Sequence, residues 1–123
     1  MNLGDFHSTY LRIRPRGDIL VVEFTTARLS EDVNIEQIGH DLSALVDQIG
    51  ARRLAVSLKG ITYLTSSALG KLITLHRKMH RADGRVVYAE LEPAVLEIVT
   101  ASKLDTYLQV TATLDEAFSA LGG

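Results

Sequence analysis

Residues 53–91 read RLAVSLKGITYLTSSALGKLITLHRKMHRADGRVVYAEL. The two ends, RLAVSLKG at 53–60 and RVVYAEL at 85–91, are apolar runs of strand length and composition. Between them Leu69, Leu72, Ile73 and Met79 recur at helical spacing, flanked by Ala68 and Leu75. That pattern predicts a helix over 66–82 with one buried face. The Asp83-Gly84 pair closes it with a turn. A strand, a helix and a strand in this order predict two parallel strands joined by a right-handed crossover.

The same alternation extends in both directions. Upstream, YLRIR at 10–14 and ILVVEFT at 19–25 read as strands, with PRGD at 15–18 as the turn of a hairpin. The Arg-Gly-Asp at 16–18 is read as part of that turn rather than as an adhesion tripeptide. TARLSEDVN reads as a polar connection. Ile35, Ile38, Leu42, Leu45, Val46 and Ile49 then mark one face of a helix, with Ser30 or Asn34 as its cap and Gly50 at its end. Downstream, Pro93 opens a helix through about residue 102. TYLQVTA at 106–112 reads as a last strand, and LDEAFSAL at 114–121 as a closing helix capped by Thr113. The expected order is β-β-α-β-α-β-α-β-α, an α/β layer fold with a mixed, mostly parallel sheet, an N-terminal hairpin and about four helices.

Composition narrows the function. The chain has 123 residues, 46% hydrophobic and 23% charged, which suits one globular domain. We expect residues 1–9 to be an N-terminal extension and residues 10–121 the domain. The net charge of −2 gives no bulk argument for nucleic acid. The chain has no cysteine, so disulfides, thiol catalysis and cysteine metal sites are excluded, and a cytoplasmic setting is expected. The N-terminus lacks a basic-then-apolar signal pattern, and no apolar run suits membrane insertion. No phosphate-cradling glycine loop and no Gly-x-Ser-x-Gly elbow is present, so neither a cofactor nor an enzyme activity is indicated. His76 and His80 have the spacing of two metal ligands, but no third ligand is evident, and they read as packed or boundary histidines.

The three consecutive hydroxyl residues Thr65, Ser66 and Ser67 carry the chemistry. Thr65 or Ser66 can cap the helix. Ser67 is already inside the first turn, opposite the apolar face, at the helix's positive end, where an anion is favoured. Lys71, Thr74, Lys78 and Arg81 continue its stripe at steps of four and three residues, predicting one outer ridge with a lysine one turn from the serine.

The element order and residues 60–110, GITYLTSSALGKLITLHRKMHRADGRVVYAELEPAVLEIVTASKLDTYLQV, resemble the STAS domain of bacterial anti-sigma factor antagonists. The sharpest part is the Ser-Ser-small-Leu-Gly run at the helix start, with Leu69 and Gly70 matching, followed by Pro93 and Leu104. The resemblance implies that Ser67, the second serine, is the phosphoacceptor, with Ser66 and Thr65 as secondary candidates. It implies a partner surface of Thr65, Ser66, Ser67, Ala68, Lys71, Thr74 and Lys78. The implied partner is an anti-sigma factor that is also a serine kinase of the ATPase type, and a phosphatase would reverse the modification. Two residues depart from the family pattern: Thr65 stands where Asp is usual, and Ala68 where Gly is frequent. The alternative is a non-catalytic STAS subunit of a stressosome-like assembly or of a lipid-transport ABC complex.

Overall fold

The computed structural model describes residues 3, 4 and 6–122. Alternation along the central strands distributes their side chains between two cores. Leu20 and Val22, Leu54 and Val56, Val86 and Tyr88 point to one face, and Ile19 and Val21, Ala55, Val87 and Ala89 to the other. Strands buried on both faces need helices on both, and the chain supplies them.

The strands and helices follow in order: β1 (Leu11–Arg16), β2 (Ile19–Phe24), β3 (Arg28–Leu29), α1 (Asp32–Asp47), β4 (Arg53–Ser57), β5 (Tyr63–Leu64), α2 (Ser66–Arg81), β6 (Arg85–Ala89), α3 (Pro93–Ala101), β7 (Gln109–Thr111) and α4 (Leu114–Ala120). A 3₁₀ turn, Leu104–Thr106, joins α3 to β7. The main sheet has the order β1-β2-β4-β6-β7. Only β1 and β2 are antiparallel; β2, β4, β6 and β7 pair in parallel, with Leu20 opposite Leu54 and Val56 opposite Tyr88. Helices α1, α2 and α3 cover one face, and α4 covers the other with Ala117, Phe118 and Leu121. Tyr88, fully buried, donates its hydroxyl to the Leu72 carbonyl at 2.6 Å and so ties the sheet to α2.

The expected fold class is the observed one, with local corrections. Pro15, expected in the hairpin turn, lies inside β1 opposite Leu20, on the edge of the sheet where its missing N–H costs no ladder bond. The turn is Gly17-Asp18, with Gly17 at φ +59°. Strands β4 and β6 stop at Ser57 and Ala89, short of the expected 60 and 91; Glu90, at positive φ, ends β6, and the chain after β4 turns at Gly60, also at positive φ. Helix α1 starts at Asp32, and neither Ser30 nor Asn34 caps it; Asn34 instead accepts from the Tyr10 hydroxyl. The expected last strand shrinks to Gln109–Thr111. Thr113 does cap α4, accepting from Glu116 N–H at 3.1 Å.

The TARLSEDVN segment is more than a connection. Its Arg28–Leu29 pairs in parallel with Tyr63–Leu64 to form a second, two-stranded sheet. Each of these strands leads into a helix, β3 into α1 and β5 into α2, so the two helices start side by side. The Thr65 N–H donates to the Leu29 carbonyl at 3.1 Å and fixes that juxtaposition. Ahead of β1, Leu3 and Phe6 pack against the core. Ser8 donates to Asp41 at 2.6 Å.

Candidate functional site

Residues 65–67 stand where β5 turns into α2, at the end of the sheet where the parallel strands terminate. Thr65 is the N-cap: its extended backbone places Oγ1 to accept from Ala68 N–H at 3.3 Å. Ser66 and Ser67 are exposed, and neither side chain has a hydrogen-bond partner among the described residues. The three hydroxyls are therefore not equivalent. One is spent on the helix, and two face solvent in its first turn.

Two loops frame this end. Gly60 N–H donates to Glu92 Oε2 at 2.7 Å. Ser57 Oγ donates to Glu90 Oε1 at 2.7 Å. The loop before β5 is thus bound to the loop before α3, and Glu90 holds its φ of +60° within that contact. Three apolar side chains are exposed at or just before helix starts: Tyr63 on β5, two residues before the α2 cap (43% exposed), Val33 in the first turn of α1 (77%) and Leu96 in the first turn of α3 (43%). The Arg28 guanidinium lies 4.5 Å from the Tyr63 ring centroid, bridging the small sheet. Sequence reasoning missed Arg28, Val33, Tyr63 and Leu96. Nothing in the types of Val33, Tyr63 and Leu96 marks them as exposed, and Arg28 meets Tyr63 only because β3 pairs with β5.

The remaining expected partner residues divide. Thr74 is exposed. Ala68 is 3% exposed and packs into the core, so it offers no side chain to a partner; it follows the cap by one turn and faces inward with Leu72. Lys71 does not stand free beside Ser67. Its Nζ is 3.2 Å from Glu36, and its stem crosses Gly39, where an added Cβ would sit 2.7 Å from Lys71 Cδ. Lys78 is likewise held by Asp47 at 2.7 Å. The expected outer ridge is in part the seam between α1 and α2, and a 250 Å³ cleft lined by Glu36, His40, Lys71 and Thr74 lies along it. A wheel drawn for one helix cannot register a second helix alongside. For the same reason the buried arc centres on Leu72 and Met79, leaving His76 half-buried against Tyr107, ring centroids 4.7 Å apart, and His80 exposed.

A hollow of about 580 Å³ flanks the other side of α1 and is lined by His7, Ser8, Tyr10, Val33 and Asp41. Asp41 is only 5% exposed, and its oxygens accept from Ser8 Oγ and from Gln37 Nε2 at 2.9 Å. Ser8 Oγ in turn accepts from the N–H groups of Tyr10 and Leu11. Its hydroxyl meets the carboxylate directly with no imidazole between, so the pair anchors the N-terminal segment rather than forming a nucleophile relay. Among the described residues no helix is long and apolar enough to cross a membrane.

Known proteins share this architecture. The chain is 29% identical over 87 residues to BtrV of Bordetella bronchiseptica, a candidate anti-sigma factor antagonist, covering 71% of this chain and 74% of that one. A crystal structure of a candidate anti-sigma factor antagonist from Thermotoga maritima superposes with a TM-score of 0.78 at 13% identity, covering 92% of this chain and 95% of that one. The Bacillus cell fate determinant SpoIIAA in its phosphorylated form superposes with a TM-score of 0.68 at 18% identity, covering 89% and 97%. The family model of the STAS domain matches residues 10–117, and the chain belongs to that family.

Proposed function

We propose that this protein is an anti-sigma factor antagonist, a cytoplasmic binding module without catalysis of its own, and that phosphorylation of Ser67 switches it. It engages an anti-sigma factor of the serine-kinase type through the end of the domain where α2 begins. The kinase phosphorylates Ser67 and the complex parts; a phosphatase restores the hydroxyl. The observation that carries the reading is the division of the hydroxyls. Thr65 caps α2, which leaves Ser67 exposed and unbonded among the described residues, four positions after the exposed Tyr63.

The electrostatics support the switch. A phosphate adds about 1.5–2 negative charges. The positive end of α2 tolerates them, so the fold survives modification. Lys71, one turn on, is already held by Glu36 and leaves that charge for the partner to face. The likeness to SpoIIAA, whose structure exists in phosphorylated and unphosphorylated forms, supports the same reading.

The test is a pull-down from the native host with wild type and Ser67→Asp, partners being identified by mass spectrometry. A kinase-like ATPase retained by wild type and lost by the variant is the expected result. Assembly or transporter components retained equally by both would refute the switch and favour the reading as a structural subunit.

A further inference from the structure

The cations of α2 fall on two sides of the helix. Towards α1, Lys71 and Lys78 are each held on a carboxylate. Towards the 3₁₀ turn stand His76, Arg77, His80 and Arg81, two pairs spaced by one helical turn. None of these four takes part in a salt bridge among the described residues. With Tyr107 they line a hollow of about 270 Å³. An adjoining hollow of about 130 Å³ shares His76 and His80 and adds Arg85 and Gln109. No carboxylate lines either one. Cations in the last turn complement a helix dipole, which accounts for His80 and Arg81. It does not account for Arg77 and His76 a turn earlier, nor for a concave surface of one sign in a chain of net charge −2.

We propose that this face binds a small phosphate-rich anion of about pyrophosphate size, gripped by Arg77 and Arg81 and closed in by His76, His80 and Tyr107. The planar guanidinium fork suits phosphate oxygens bidentately. The hollow lies below the ~300–1,000 Å³ of pockets for larger organic ligands, which fits a compact anion. His76 lies about 14 Å along the helix axis from Ser67, nine residues at 1.5 Å each, so the two sites are separate.

The site is built to respond to pH. Burial, and then the charge of His80, hold the His76 pKa below its usual value. An anion between the rings offsets the second cause and favours protonation. The other groups facing the histidines are Arg77 and Arg81 on α2, Tyr107 from the 3₁₀ turn, and Arg85 and Gln109 from β6 and β7. Arg85 is committed to the Ala120 carbonyl and to Gln109 Oε1. The nearest acids in sequence, Asp83 and Asp105, line neither hollow.

Pyrophosphate titrated into the full chain, followed by calorimetry and by backbone amide shifts at constant ionic strength, tests the proposal. The expected result is saturable one-to-one binding with shifts over residues 76–81 and 104–109. Arg77→Gln with Arg81→Gln weakens it by about tenfold or more, and Lys78→Gln leaves it within about twofold. Relative to His76→Gln with His80→Gln, which shares the probe's own proton uptake, wild-type binding tightens between about pH 7.5 and about pH 6. A linear, unsaturated response, equal losses in the Lys78 and arginine variants, or a pH dependence unchanged by the histidine variants would each overturn it.

Discussion

Thermal stability and partner affinity should move in opposite directions at Ser67, and the first turn of α2 sets both magnitudes. Ser67 follows the cap by two residues and makes no side-chain hydrogen bond among the described residues. Ser67→Asp therefore breaks nothing and places a carboxylate at the positive end of the helix, worth about 0.3–1 kcal/mol. At roughly 2.1 cal/mol/K per residue, a 123-residue chain has an unfolding entropy near ~0.26 kcal/mol/K, so the melting temperature rises by about 1–4 °C. The same charge enclosed in an interface without a cation costs about 3–5 kcal/mol, a loss of roughly a hundredfold or more in affinity. Thr65→Ala gives the control. It removes the bond to Ala68 N–H, costs about 1 kcal/mol and lowers the melting temperature by about 4 °C. Thr65→Asp supplies a better cap and raises stability by a few tenths of a kcal/mol. The assay is scanning calorimetry on each variant beside calorimetric titration with the partner recovered by wild type. A Ser67→Asp protein that melts below wild type, or binds within about twofold of it, refutes the reasoning.

Other parts of the fold give sharp expectations. Gly84→Ala should destabilise by about 1–3 kcal/mol, because its Cβ would lie 2.8 Å from the Arg52 carbonyl oxygen and 3.0 Å from Met79 Cε; a denaturation midpoint equal to wild type would refute the close contact. Tyr88→Phe should cost about 0.5–1.5 kcal/mol by removing the bond to Leu72, while partner affinity stays unchanged. Burial pushes the Tyr88 phenol far above its usual value, so its contribution is complete below the unfolded value of about 10 and is lost as pH rises beyond it; phenolate absorbance at that residue should appear together with alkaline unfolding. Ser8→Ala should cost about 1–3 kcal/mol by leaving the Asp41 carboxylate short of a donor, measurable by urea denaturation, although Ser8 precedes the residues that match the family.

The parts of this fold legible in the sequence are those governed by local periodicity. The apolar runs ILVVEF, RLAVS and RVVYA specified strands, and the spacing of Leu69, Leu72 and Met79 specified a helix between two of them. Thr113 capped where a threonine before Leu-Asp-Glu should. The hydroxyls at 65–67 were legible as a helix start, since capping is a short-range matter of one side chain and one N–H. Tertiary structure decided what those local signals could not contain. The pairing of Arg28–Leu29 with Tyr63–Leu64 joins residues more than thirty positions apart and cannot be read from two-residue strands. That pairing sets α1 beside α2. It then turns Lys71 and Lys78 from a free ridge into the two ends of an interhelical seam, and sets Arg28 over the Tyr63 ring. A residue's charge and shape are written in the chain, but what that charge meets is fixed only when another segment packs against it, because hydrogen bonds and ion pairs act over a few ångströms of space and not over distance in sequence.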